Sequence, residues 1–159
     1  MSEKTGYIDL LVAAEEGVRD LYRVFSERFS EPEGVQAFWE TMARDEEAHA
    51  ATLRTLAGLV LPPEEVLEQR DPFLLATFIG HLAGIVAHSR TGRISIQGAV
   101  ALANGIEHSL AEKHQRIRTG VSEPLWQDLM DQIHQADQKH LAHLRAFSAT
   151  VGLNLPENV

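Results

Sequence analysis

Met42-Ala43-Arg44-Asp45-Glu46-Glu47-Ala48-His49 is the stretch whose reading decides the fold. It has an echo 91 residues on, Ile133-His134-Gln135-Ala136-Asp137-Gln138-Lys139-His140. Each copy places a carboxylate three residues before a histidine, Glu46 before His49 and Asp137 before His140. Apolar residues follow at the same offsets, Leu53 and Leu56 in one copy, Leu144 and Phe147 in the other. On an α-helix, positions i and i+3 share a face and lie about 4.5 Å apart along the axis. A carboxylate and an imidazole so spaced can grip one metal ion together. One such pair is a weak signal in any charged helix; two in register, with matching apolar flanks, are a strong one.

Working outward, each copy has an acidic partner about thirty residues upstream. The segment from Tyr7 to Phe29 carries a core line through positions 8, 11, 15, 18, 22, 25 and 29, the alternating three- and four-residue spacing of a bundle helix. Position 15 on that line is Glu15, while Glu16 falls off it and is expected to face solvent. A second helix near 33–58 has its line at Val35, Phe38 or Trp39, Met42, Glu46, His49, Leu53 and Leu56. A third, near 95–119, runs through Ile96, Val100, Ala103, Glu107, Leu110, His114 and Ile117. A fourth, near 123–151, opens at Ser122-Glu123-Pro124 and runs through Trp126, Ile133, Asp137, His140, Leu144 and Val151. Laid on the first helix, the third puts Glu107 on Glu15 and His114 on Tyr22. The chain is thus two helix pairs, each with a lone Glu and a carboxylate-x-x-His.

The crossover, 59–94, is the least patterned part. Leu61-Pro62-Pro63-Glu64-Glu65 suggests a connection or short helix, and Asp71-Pro72 an N-cap and first position of another. Phe73 to Ala87 is mostly apolar, broken by Thr77, Gly80, His81 and Gly84, and reads as too short and too interrupted to span a bilayer. A crossover helix packed on the bundle or on another subunit is expected there.

Composition narrows the chemistry. At 159 residues the chain is expected to form one domain, and the absence of cysteine removes disulfides, zinc–thiolate sites and iron–sulfur clusters. A formal net charge of −9 argues against non-specific nucleic-acid binding. No basic segment leads into an apolar stretch at the start, so a soluble cytoplasmic protein with no membrane partner is the expectation.

Six residues are therefore expected to converge: Glu15, Glu46 and His49 from one half, Glu107, Asp137 and His140 from the other. Oxygen donors with one imidazole per ion suit iron or manganese, with zinc as a further possibility, and four carboxylates balance two divalent cations. Glu46 and Asp137 are assigned as bridging, Glu15 and Glu107 as terminal. The competing structural reading needs cations on the core lines; Arg19, Arg54 and Arg145 adjoin those lines without lying on them. Tyr22 is expected in the core with its hydroxyl tied to a carboxylate, and His114 either beside a ligand or exposed. His134 and His143 read as surface or supporting residues, Trp39 and Trp126 as core or interface aromatics.

The pattern resembles the ferritin-like di-iron superfamily, in its rubrerythrin-related and bacterioferritin-related branches. The resemblance covers the four long helices and rests on Glu15, Glu46-x-x-His49, Glu107 and Asp137-x-x-His140. It implies an all-α, left-handed four-helix bundle whose long crossover between the second and third helices has room for an extra helix. It also implies two iron ions, chemistry with peroxide or dioxygen, an electron donor of unknown identity, and assembly into a homodimer or larger homo-oligomer. Three departures stand out: Asp137 replaces the usual Glu, no cysteine-rich rubredoxin module is present, and Leu110 stands where rubrerythrins tend to carry an extra carboxylate. Two functions follow as expectations, an oxidoreductase of the peroxidase or ferroxidase type, or a helical assembly module with a structural or vestigial metal.

Overall fold

A computed structural model describes residues 3–59, 72–120 and 122–155. Among them the chain is all-α, with five helices: α1 (Glu3–Arg28), α2 (Val35–Leu59), α3 (Pro72–Thr91), α4 (Ile96–Gly120) and α5 (Pro124–Thr150). The chain divides into two compact units, Met1–Gly92 and Arg93–Val159. The four long helices fall where the periodicity puts them, except that α1 begins at Glu3 rather than near Tyr7.

In the first unit α1 and α2 pack antiparallel. Contacts from α1 reach progressively earlier residues of α2, from Glu15 against His49 and Arg19 against Glu47 to Tyr22 against Trp39. The turn between them contains a cis Glu31–Pro32 bond, and Gly34 adopts φ 87°, a left-handed conformation that a residue without Cβ takes at little cost. Val35 N–H donates to the carbonyl of Pro32 as α2 begins. The turn end of the pair is closed by an aromatic cluster. Trp39 lies edge-on to Phe25, ring centres 4.9 Å apart, and 5.5 Å from Tyr22, and all three are fully buried.

The crossover does hold an extra helix, α3, which packs on α1 and runs parallel to it. Its buried residues are Leu75, Leu82 and Ser89, a seven-residue repeat that lies along one face. Leu82 presses against Gly17: a Cβ built there would come within 2.6 Å of a Leu82 methyl. Further along, Arg28 donates to the carbonyls of Ser89 and Arg90 and satisfies the end of α3. The reading of this segment as too short for a bilayer is corrected. The helix has 20 residues, and by length and composition alone it could cross a membrane. Phe73 (76%) and Leu74 (53%) are its exposed large apolar residues. The connection at Leu61–Glu65 and the Asp71 cap lie outside the described residues, as does the side chain of Leu56.

The second unit is the antiparallel pair α4 and α5. Ser95 Oγ accepts from Gly98 N–H at the start of α4. Glu123 caps α5, its side chain accepting from Trp126 N–H at 2.9 Å, with Pro124 opening the first turn. Its other end closes at Gly152, φ 74°, with Leu153 N–H returning to the carbonyl of Ser148. Trp126, Met130, Ile133 and Leu144 are buried along α5, as Val100, Ala103, Leu110 and Ile117 are along α4.

Candidate metal centre

The polar positions on the core lines are buried with the apolar ones. Glu15, Glu46, Glu107 and His140 are each 1% exposed and Asp137 is 2% exposed. A carboxylate taken out of water costs several kcal/mol unless something compensates it, of order 2 kcal/mol or more even for neutral polar groups. Each unit answers that cost locally.

In the first unit, α1 supplies Glu15 and α2 supplies Glu46 and His49. His49 Nδ1 lies 3.3 Å from Glu46 Oε2 and 3.7 Å from Glu15 Oε2. Burial alone would push the imidazolium of His49 down. The hydrogen bonding and negative charge of Glu15 and Glu46 outweigh it and carry the pKa up to about 10. A protonated His49 is thus the cation these two carboxylates hold. Replacing that proton by a metal ion leaves one nitrogen and two carboxylate groups as donors, a set that suits iron or manganese.

Two of the arginines beside the core lines, Arg19 and Arg54, are engaged elsewhere. Arg19 Nη1 donates to Glu47 at 2.7 Å and the same guanidinium pairs with Asp20; Arg54 pairs with Glu16. Glu16 is half-buried in that pair rather than simply solvent-facing. These cations serve carboxylates that lie off the core lines.

In the second unit, His140 Nδ1 on α5 lies 3.4 Å from Glu107 Oε2 on α4. Asp137 is met from α4 by His114, whose Nδ1 lies 3.0 Å from Oδ2 and 3.2 Å from Oδ1. His114 is 1% exposed, so of its two expected positions it takes the one beside a ligand. His114 lies two turns beyond Glu107 while Asp137 lies one turn before His140, so spacing along the two helices does not by itself pair them. Tyr22, at the matching place in the first unit, is fully buried against Trp39 and Phe25. Leu110 is buried where an extra carboxylate would stand, His134 is half-buried and His143 exposed.

Helices that pair antiparallel and bury an acidic residue on one against a carboxylate-x-x-His on the other, twice over, define the ferritin-like class of carboxylate proteins. Within that class, the family model described as Rubrerythrin matches residues 9–148, and the chain belongs to the rubrerythrin family. Comparison with curated proteins and with solved structures gives no match. Membership implies a di-metal carboxylate site, usually of iron, and the buried Glu and His groups present fit such a site.

Proposed function

We propose that the chain is a non-haem di-iron oxidoreductase of the peroxidase or ferroxidase type, serving iron handling or defence against peroxide. The observation that carries this reading is the buried Glu15–Glu46–His49 set, in a chain whose family is built on di-metal carboxylate chemistry. Glu15, Glu46 and His49 would hold metal from one half, and Glu107, Asp137 and His140 from the other, with Glu46 and Asp137 as the bridging candidates. Iron held by these residues would supply the two electrons that, with two protons, reduce peroxide to two waters. The protein's part would be to supply buried oxygen and nitrogen donors and to balance two divalent charges with four carboxylates.

The test begins with metal analysis of protein purified from iron-supplied cells, followed by anaerobic loading with Fe(II) and addition of peroxide. Two irons per chain, oxidised in a burst whose absorbance change is absent from Glu46→Ala, are expected. Redox-silent zinc that resists exchange would sink the enzyme reading. It would favour the second one, an assembly module with a structural metal. The observation on the side of that alternative is the exposure of Phe73 and Leu74 on α3. We place association with a second copy of the chain, rather than with a bilayer, at that face.

A further inference from the structure

Asp137 is one methylene shorter than Glu46, its counterpart in the repeat, and it is the carboxylate that His114 meets. The two Nδ1 to oxygen distances, 3.0 and 3.2 Å, are nearly equal. An ionised carboxylate only accepts, on the lone-pair sides of its oxygens, so His114 Nδ1–H donates from the fork between Oδ1 and Oδ2. That fork is also where a single metal ion would sit if both oxygens chelated it. The aspartate sits mid-helix on α5 and the histidine mid-helix on α4, both buried, so neither swings freely.

We infer that His114 is a positioning residue that holds one oxygen of Asp137 and leaves the other as a one-oxygen ligand. The inference rests on the di-metal reading above and deepens it, removing Asp137 from the two bridging candidates and leaving Glu46. With its N–H in the fork, His114 excludes chelation. When a metal takes one oxygen, the N–H stays on the other and withholds it from a second ion. The first half differs by sequence: Tyr22 and Glu46 stand where the second has His114 and Asp137. A repeat that is symmetric in its ligands would thereby hold two ions unequally, one drawing on Glu46 and the other on an Asp137 that does not share itself. A histidine donating to a ligating carboxylate also fixes the carboxylate's rotation, the usual effect of such supporting hydrogen bonds.

Anaerobic addition of Co(II) to the intact protein tests this, because the two stepwise dissociation constants read the inequality directly. The parent should bind two ions with constants at least tenfold apart. In His114→Phe, which keeps the ring and loses the donor, they should close to within about threefold. In His114→Asn, whose amide N–H falls near the position of Nδ1, the parent ratio should return; a merely structural histidine would give no such recovery. An unchanged ratio in a folded His114→Phe protein overturns the inference and leaves the di-metal reading intact. A parent that binds no Co(II) overturns both. Should the Phe variant not fold, ¹⁵N NMR of histidine in the Zn(II)-loaded parent decides: His114 should carry its proton on Nδ1, and a bare Nδ1 overturns the inference.

Discussion

At the scale of the residue, the site is governed by which cation neutralises each buried carboxylate. In the metal-free protein His49 does so for Glu15 and Glu46, and its raised pKa fixes the direction of a pH effect. A group protonated at about 10 when folded and near 6.5 when unfolded contributes its full stability below 6.5 and loses it as pH rises toward 10. Metal-free protein should therefore become less stable across that window, at up to about 1.4 kcal/mol per pH unit from this group. Urea unfolding at pH 6, 7.5 and 9 measures it, and His49→Gln should remove most of the slope. Loading with Zn(II) should reverse the trend, since the ion must displace the proton and binds better as pH rises. A parent slope shared by His49→Gln would place the effect in other groups. The identities at 15, 46, 49, 107, 137 and 140 were legible in the sequence because they interrupt apolar lines at repeated offsets. The partner of His114 was not, because spacing along one helix does not say which residue of the next helix lies opposite.

Among the elements, the long helices were readable nearly to their ends, since Pro124, Ser95 and Gly34 punctuate the chain where the periodicity stops. The crossover was not readable to the same degree. Its apolar residues lack a helical stripe, and the docking of α3 is decided by a contact 65 residues away in sequence, Gly17 against Leu82. That contact makes a prediction. Gly17→Val would drive a three-carbon isopropyl group against the fully buried Leu82 and should destabilise the protein by about 1–3 kcal/mol through overpacking. Combining it with Leu82→Ala should recover part of the loss, because the space vacated is the space invaded. Chemical denaturation of the two single variants and the double variant gives the coupling; strictly additive losses would mean that α3 shifts bodily instead of repacking. The outward side of α3 carries a second expectation. Phe73 and Leu74 are costly to leave in water, and a second copy of the chain covers such a patch symmetrically. Light scattering should find at least a dimer at micromolar concentration and a smaller species for Phe73→Glu; a monomeric parent would rule the interface out.

On the scale of the whole molecule, the chain is two similar units, each burying carboxylates in quantity. Glu15, Glu46, Glu107 and Asp137 together are a large negative charge for one small protein to exclude from water. Without metal, some of it must be met by protons or by admitted water, and either weakens packing. Metal loading should thus raise the melting temperature. An ion present at a thousand times its dissociation constant stabilises by about 4 kcal/mol. For a chain of this length that corresponds to a rise of about 8–16 °C. The finer expectation concerns coupling. If each unit served its own ion, Glu46→Ala would weaken the ion held by Glu15 and His49 and leave the other unchanged. Bridging by Glu46 predicts instead that both affinities fall, together with most of the metal-induced rise in melting temperature. Glu15→Ala, at a terminal position, should weaken mainly one. Calorimetric melting of the parent and both variants, metal-free and loaded with Fe(II) under nitrogen, separates the two cases. A parent whose melting curve ignores the metal would remove the core site altogether. A Glu46→Ala protein that still gains half the parent's rise would show two independent ions, one to each half of the repeat.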